Sequence, residues 1–169
     1  MWVGPPWETA PHDRVSVVID PGRAFGTGAH PTTRLCLELL QEQEPESLLD
    51  VGCGSGVLAI AAAKLGFAPV IALDNDPEAI EATQANAEAN GVSLEIELVD
   101  VLTKKLPLTA VGVCNISIDA IEAIAPSLGC QTLIASGFLA SDRPSFRGFR
   151  LCERREEAEW AAFLASKTA

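Results

Sequence analysis

The 169-residue chain has no tyrosine, one methionine, two histidines, and 12 lysines and arginines against 23 aspartates and glutamates. Each scarcity narrows the function. A net charge of −11 argues against direct nucleic-acid binding, whose affinity comes largely from Lys and Arg meeting phosphates. It suits a basic partner, and equally an ordinary solubilising surface. Two histidines offer little to a metal, and the five cysteines (Cys36, Cys53, Cys114, Cys130, Cys152) form no Cys-x-x-Cys pair. Reduced, mostly buried thiols are therefore expected, not a disulfide framework or a zinc site. Cys53, set between glycines, is the one expected to be accessible, although nothing pairs it with a base. No apolar run reaches membrane-spanning length, and the start Met-Trp-Val-Gly-Pro-Pro-Trp-Glu lacks the charged and apolar regions of a signal peptide. A cytoplasmic protein that binds no membrane is expected.

What is present is a hydrophobic fraction of 48%, too high for disorder, in a length that suits one domain spanning residues 1–169. The chain is organised around Leu48 to Gly56, Leu-Leu-Asp-Val-Gly-Cys-Gly-Ser-Gly. An apolar run entering alternating glycines and leaving as the apolar segment Val57 to Leu65 reads as buried strand, tight turn and helix. Glycines at 52, 54 and 56 allow close approach of backbone to a ligand, and the helix start behind them offers N–H groups without partners in the helix. A nucleotide-type ligand is expected here.

Along the chain, residues 1–14 hold prolines 5, 6 and 11 and read as an irregular arm. Val15 to Ile19 reads as a strand, and Pro31 opens a helix that runs to about Glu42 with Leu35, Leu39 and Leu40 on one face. Val70 to Leu73 is a second buried strand. Asp76 caps and Pro77 starts the next helix, which ends at Asn90-Gly91. Leu94 to Val99 and Ala110 to Ile116 are further strands, Ile118 to Leu128 a helix and Gln131 to Ser136 a fifth strand. Arg150 to Glu153 and Trp160 to Leu164 read as a terminal antiparallel pair. Strands alternating with helices indicate a Rossmann-like, doubly wound α/β fold. Its sheet is expected to be mostly parallel and seven-stranded, with ligands at the strand carboxyl ends.

In such a sheet the acidic residue that ends the second strand meets the ribose hydroxyls of a bound nucleoside. Asp74 lies 22 residues after Gly52, close to the usual separation of about 20. The glycines alone do not separate cofactor classes, because Gly54-x-Gly56-x-x-Ala59 also satisfies the dinucleotide fingerprint in its alanine form. A nicotinamide-dependent oxidoreductase thus stays open on this motif, although the chain has no tyrosine and no evident proton donor for it.

The segment Phe25-Gly-Thr-Gly-Ala-His-Pro-Thr-Thr-Arg34, followed by Asp50-Val-Gly-Cys-Gly-Ser-Gly56, resembles the catalytic domain of the ribosomal protein L-eleven methyltransferases. The resemblance continues through Leu73-Asp-Asn-Asp-Pro77, Asn86-Ala-x-x-Asn-Gly91, Val113-Cys-Asn-Ile116 and Ser136-Gly-Phe-Leu-Ala140, and covers about Val15 to Leu164. It implies S-adenosylmethionine as cofactor and methyl transfer to amino groups of a basic protein, ribosomal protein L-eleven above all. By that similarity Thr33, Gly52, Gly54, Asp74 and Asn115 match cofactor-contacting positions. Phe25, Thr27 and Gly28 would line the methionine side, and Asn75 and Asp100 would lie near the adenine. His30 would be either a base or a residue that holds its own turn. Asn115 is the catalytic candidate, orienting the acceptor amine through its side-chain carbonyl. Full-length members carry an additional amino-terminal domain that recognises the ribosomal protein, and this chain is expected to lack it. A small-molecule amine as acceptor, or a module that binds the cofactor without catalysis, is the alternative.

Overall fold

The structure, a computed structural model, describes residues 1–20 and 28–168. Its elements run β1 (Trp2–Gly4), β2 (Ser16–Val18), α1 (Pro31–Gln41), β3 (Leu48–Val51), α2 (Val57–Lys64), β4 (Val70–Asp74) and α3 (Pro77–Asn90). They continue as β5 (Glu95–Leu98), β6 (Val111–Asn115), α4 (Ile118–Ile124), β7 (Thr132–Leu139), β8 (Phe149–Glu157) and β9 (Trp160–Lys167). Among the described residues the main sheet has seven strands in the order β5-β4-β3-β6-β7-β9-β8. The pairs from β5 to β7 are parallel, and β9 and β8 close the sheet antiparallel. The chain leaves β3 toward β4 on one side and returns to β6 on the other, so the order reverses beside β3. That reversal opens a crevice at the strand carboxyl ends.

The strands are read by both faces. In β3, Leu48 enters the apolar layer shared with Leu39, Leu40 and Ile60, whereas its neighbour Leu49 joins Ile121, Ile124 and Leu133 on the opposite face. Alternation at period two with apolar residues on both sides is what a central parallel strand needs. Helices α1, α2 and α3 cover the first face. α2 is buried nearly all round because it is wedged among sheet, α1, α3 and β2. The second face carries α4 and the chain around Phe146, and the β5–β6 connection crosses it without a helix.

The structure departs from the sequence expectations at four places. Residues Trp2–Gly4 of the arm form β1, which pairs in parallel with β2, so the arm is not irregular throughout. The prolines that follow hide a strand whose partner lies 14 residues away. The helix expected over 118–128 stops at Ile124 and tightens into a 3₁₀ turn at Ala125–Ser127, because Pro126 supplies no N–H to continue an α-helix. The fifth strand runs on to Leu139 past a register shift between Ser136 and Phe138, where Gly137 adopts φ +106. The terminal hairpin is longer than its two apolar patches suggested, since cross-strand pairing carries the charged residues Arg154–Glu157 along with it.

Candidate functional site

The crevice beside β3 holds a cavity of about 600 Å³, within the range of small-molecule sites. Its wall takes residues from the carboxyl ends of four adjacent strands: Val51 ending β3, Asp74 ending β4, Val99 just after β5 and Asn115 ending β6. Thr33, Gly52, Gly54, Asp74 and Asn115 all line it. Asn75 and Asp100, the candidates for the adenine side, line it too. Gly28 does not; an added Cβ there would meet the Val3 side chain at 2.4 Å, which places Gly28 against β1. Thr27 and Phe25 lie outside the described residues.

The glycine turn is built by its backbone hydrogen bonds. Gly52 and Cys53 both donate to the Leu73 carbonyl, at 2.8 and 3.0 Å, which pins the turn to the end of β4. Gly52 has φ +75, and a Cβ there would come within 2.4 Å of Ile116 Cγ2. Gly56, with φ +81, is the left-handed entry to α2, and a Cβ there would reach Thr83 at 2.9 Å. Both positions therefore demand glycine for conformation and for space. Gly56 has no side chain to cap the helix. Asp50 does the work from the preceding strand: its Oδ2 accepts from the Ala59 N–H at 3.1 Å. Val57 and Leu58, the first two helical residues, line the cavity.

Asp74 stands at the edge of this turn. Its Oδ2 accepts from the Gly54 N–H and its Oδ1 from the Asp76 N–H, each at 3.0 Å. A carboxylate has about four acceptor positions, so two remain for hydroxyl groups in the cavity. Asp76 caps α3 through Glu78 N–H at 2.9 Å, the structural role its sequence context indicated. Across the cavity, Asn115 donates from Nδ2 to Thr33 Oγ1 at 3.3 Å. The Asn115 carbonyl oxygen is buried and has no hydrogen-bond partner. Thr33 is itself buried in the first turn of α1.

Other titratable groups hold structure. His30 caps α1: its Nδ1 accepts from the Thr32 N–H and lies 2.8 Å from the Thr32 hydroxyl, and its ring meets Trp160 edge-on at 4.7 Å. That is the turn-holding alternative for this residue. Cys53 is buried, contrary to the expected access, because the α3 residue Thr83 closes over it with a hydroxyl 3.3 Å from Sγ. Burial first, and then the neighbouring Asp50 carboxylate, push the Cys53 thiol up to about 12. Asp50, 1% exposed, is pushed up to about 7, chiefly by burial, against the lowering effect of the Ala59 hydrogen bond. No group of three or more His, Cys, Asp or Glu that could hold a metal ion occurs among the described residues.

Some cavity residues carried no signal in the sequence. Val99, Val101 and Leu102 follow β5 and supply apolar wall. Ile116, Ala120 and Ile124 follow β6 and do the same. Of the two residues that brace the turn from α3, Thr83 carried no signal in the sequence and Asn86 stood only within a resembling pattern.

A parallel sheet closed by an antiparallel pair, with a nucleoside-sized cavity over its switch point, is the class I methyltransferase fold. The family model described as "Ribosomal protein L11 methyltransferase (PrmA)" matches residues 1–168, and the chain belongs to that family. It is 44% identical over 174 residues to a ribosomal protein L11 methyltransferase of Edwardsiella ictaluri, covering 95% of this chain and 59% of that protein. It is 46% identical over 143 residues to one from Dechloromonas aromatica, covering 83% and 47% respectively. The chain thus spans about half to three-fifths of the length of these curated relatives. A crystal structure of a ribosomal protein L11 methylase from Lactobacillus delbrueckii subsp. bulgaricus superposes with TM-score 0.82 at 27% identity, covering 97% of this chain and 91% of that one. A putative RNA methyltransferase from Pyrococcus horikoshii shares the fold at TM-score 0.70 and 18% identity, over 88% of each chain.

Proposed function

We propose that this chain is a domain, spanning residues 1–169, that binds S-adenosylmethionine and methylates amino groups of a protein. A lysine side chain or an amino terminus of ribosomal protein L11 is the first acceptor to test. The observation that carries the reading is the unpaired, buried carbonyl of Asn115 in the same cavity wall as the Asp74 carboxylate. A buried acceptor without a donor costs about 1 to 3 kcal/mol, and an incoming N–H would satisfy it.

The residues fit the cofactor. Asp74 keeps acceptor capacity for the two ribose hydroxyls, the first turn of α2 faces the cavity, and Val99, Val101 and Leu102 offer an apolar wall for a purine. When bound, S-adenosylmethionine supplies a methyl group already activated on a positively charged sulfur, so the acceptor amine needs alignment more than acid–base assistance. A lysine with a reference pKa near 10.4 must first lose its proton, at a cost of about 4 to 5 kcal/mol at pH 7. The chain's own contribution is then geometric. Thr33 holds the Asn115 amide by its nitrogen, and the Asn115 carbonyl accepts an N–H of the neutral amine, which sets the direction of the nitrogen lone pair.

The acidic surface, with net charge −11, favours a basic acceptor by attraction across solvent. Incubation with labelled S-adenosylmethionine and purified ribosomal protein L11 tests the proposal. Label on L11 supports it. Label confined to the low-molecular-weight fraction of a cell extract would assign a small-molecule amine instead. Tight cofactor binding with no label in either fraction would leave a module that binds without transfer.

A further inference from the structure

Three residues of α3 share one face at spacings of three and four, Thr83, Asn86 and Asn90, and all three point their polar atoms at backbone outside their own helix. Thr83 Oγ1 donates to the Gly54 carbonyl at 3.0 Å. Asn86 is 3% exposed and makes two long-range bonds at once: Nδ2 donates to the Ser55 carbonyl at 2.9 Å, and Oδ1 accepts from the Asp20 N–H at 3.0 Å. Asn90 grips β2, accepting from Val18 N–H at 2.9 Å and donating to the Val18 carbonyl at 2.6 Å, and its Nδ2 also donates to the Asn86 carbonyl at 2.8 Å. Asn86 is therefore the side chain that joins the glycine turn to the β1–β2 layer.

We propose that Asn86 is a positioning residue for the nucleoside-binding turn, fixing the Ser55 peptide and through it the orientation of Gly54, Val57 and Leu58, which line the cavity on either side of it. The inference rests on the nucleoside reading of that cavity. The turn needs such a brace for a physical reason. Three glycines in five residues give it intrinsic backbone freedom, and freedom lost on binding subtracts from affinity. The Thr83 and Asn86 bonds remove that freedom before a ligand arrives. Both accepting carbonyls, Gly54 and Ser55, belong to the turn itself, so the restraint acts on Gly54, which lines the cavity, and on the residue next to it. Asn90 performs similar chemistry one turn further along, bonding Val18 of β2 and the Asn86 carbonyl of its own helix but not the glycine turn, which makes it an internal control.

The test compares Asn86→Leu with Asn90→Leu in the full chain. Each removes the same side-chain amide: Asn86→Leu loses the bonds to Ser55 and Asp20, and Asn90→Leu loses those to Val18 and to the Asn86 carbonyl. S-adenosylhomocysteine affinity is read by calorimetry, and amide hydrogen exchange is read at Gly52 to Ala59. The proposal expects comparable drops in Tm for the two variants. Only Asn86→Leu should weaken nucleoside binding, by about tenfold, the scale of one lost hydrogen bond to the turn. It should also speed exchange in the turn, while Asn90→Leu leaves both near the wild-type value. If Asn86→Leu does not fold, Asn86→Asp keeps the shape and the Asp20 bond but cannot donate to Ser55 when ionised, and the same loss is expected. Equal affinity in wild type and Asn86 variants overturns the coupling and leaves the nucleoside site standing. Equal losses in the Asn86 and Asn90 variants overturn it as well, reducing Asn86 to a stabilising contact. A wild-type chain that binds no S-adenosylhomocysteine overturns the reading of the site and this inference with it.

Discussion

The Asn115 amide at the end of β6 spends its nitrogen on the Thr33 hydroxyl, 3.3 Å away on α1, and keeps its carbonyl oxygen buried and unpaired. Two elements separated by 82 residues in sequence thus meet to orient one acceptor. Asn115→Ala should lower kcat on the order of 100-fold, the scale of a misaligned reacting group, and change S-adenosylhomocysteine affinity less. Steady-state kinetics beside calorimetry separate the two effects. An unchanged kcat would remove Asn115 from the chemistry.

Asp74 holds the turn through Gly54 and Asp76 N–H groups and lines the cavity in which a ribose is proposed to bind. Asp74→Ala should weaken S-adenosylhomocysteine binding by about 10- to 150-fold, corresponding to about 1.5 to 3 kcal/mol for hydrogen bonds to a charged group. Unaltered binding in this variant would refute the ribose assignment.

Asp50 makes stability depend on pH. Its carboxyl is pushed up to about 7 in the fold, chiefly by burial, from an ordinary value of 3.8. The folded protein therefore retains a proton that the unfolded chain releases. Because the folded pKa is the raised one, the contribution is full below about pH 4, declines as pH rises and is lost above about 7. The shift corresponds to about 4 kcal/mol at most. Asp50→Asn should remove this part of the decline, so its stability relative to wild type should improve between pH 4 and 7. Denaturant melts at several pH values check it, and parallel curves for the two proteins would contradict it.

Thiol reactivity should divide sharply. Cys36, Cys53, Cys114 and Cys130 are buried and Cys152 is exposed. Burial pushes the Cys53 thiol up to about 12 and Cys130 up to about 11, so neither presents thiolate at neutral pH. Native protein should incorporate close to one equivalent of an alkylating reagent, at Cys152, and the remainder only on unfolding. Rapid labelling of Cys53 would show that the Thr83 contact opens.

Much of the architecture was legible because it follows from local signals. Asp76, Pro77 and Gly91 bracket α3 at both ends, and the apolar runs Leu48–Val51 and Val70–Leu73 mark strands buried on both faces. Asp74 at the end of its strand marked a candidate site, and the structure brings it together with Thr33, Gly52, Gly54 and Asn115 around one cavity. What stayed hidden depends on distant partners. β1 is a strand only because β2 lies beside it. Cys53 sits between glycines and yet is buried, since a side chain from α3 covers it. Asn86 stood in a resembling pattern, but its role appears only when Asp20 and Ser55, 66 and 31 residues away, arrive at its two ends.

Titration of S-adenosylhomocysteine into isotope-labelled protein, followed by backbone NMR, tests the central claim most directly. Shifts should cluster at Gly52, Gly54, Asp74, Asn115 and the stretch after β5 from Val99 to Leu102, the residues around the 600 Å³ cavity. Shifts absent from these residues, or gathered instead around the second cavity between Ile71 and Leu108, would contradict it.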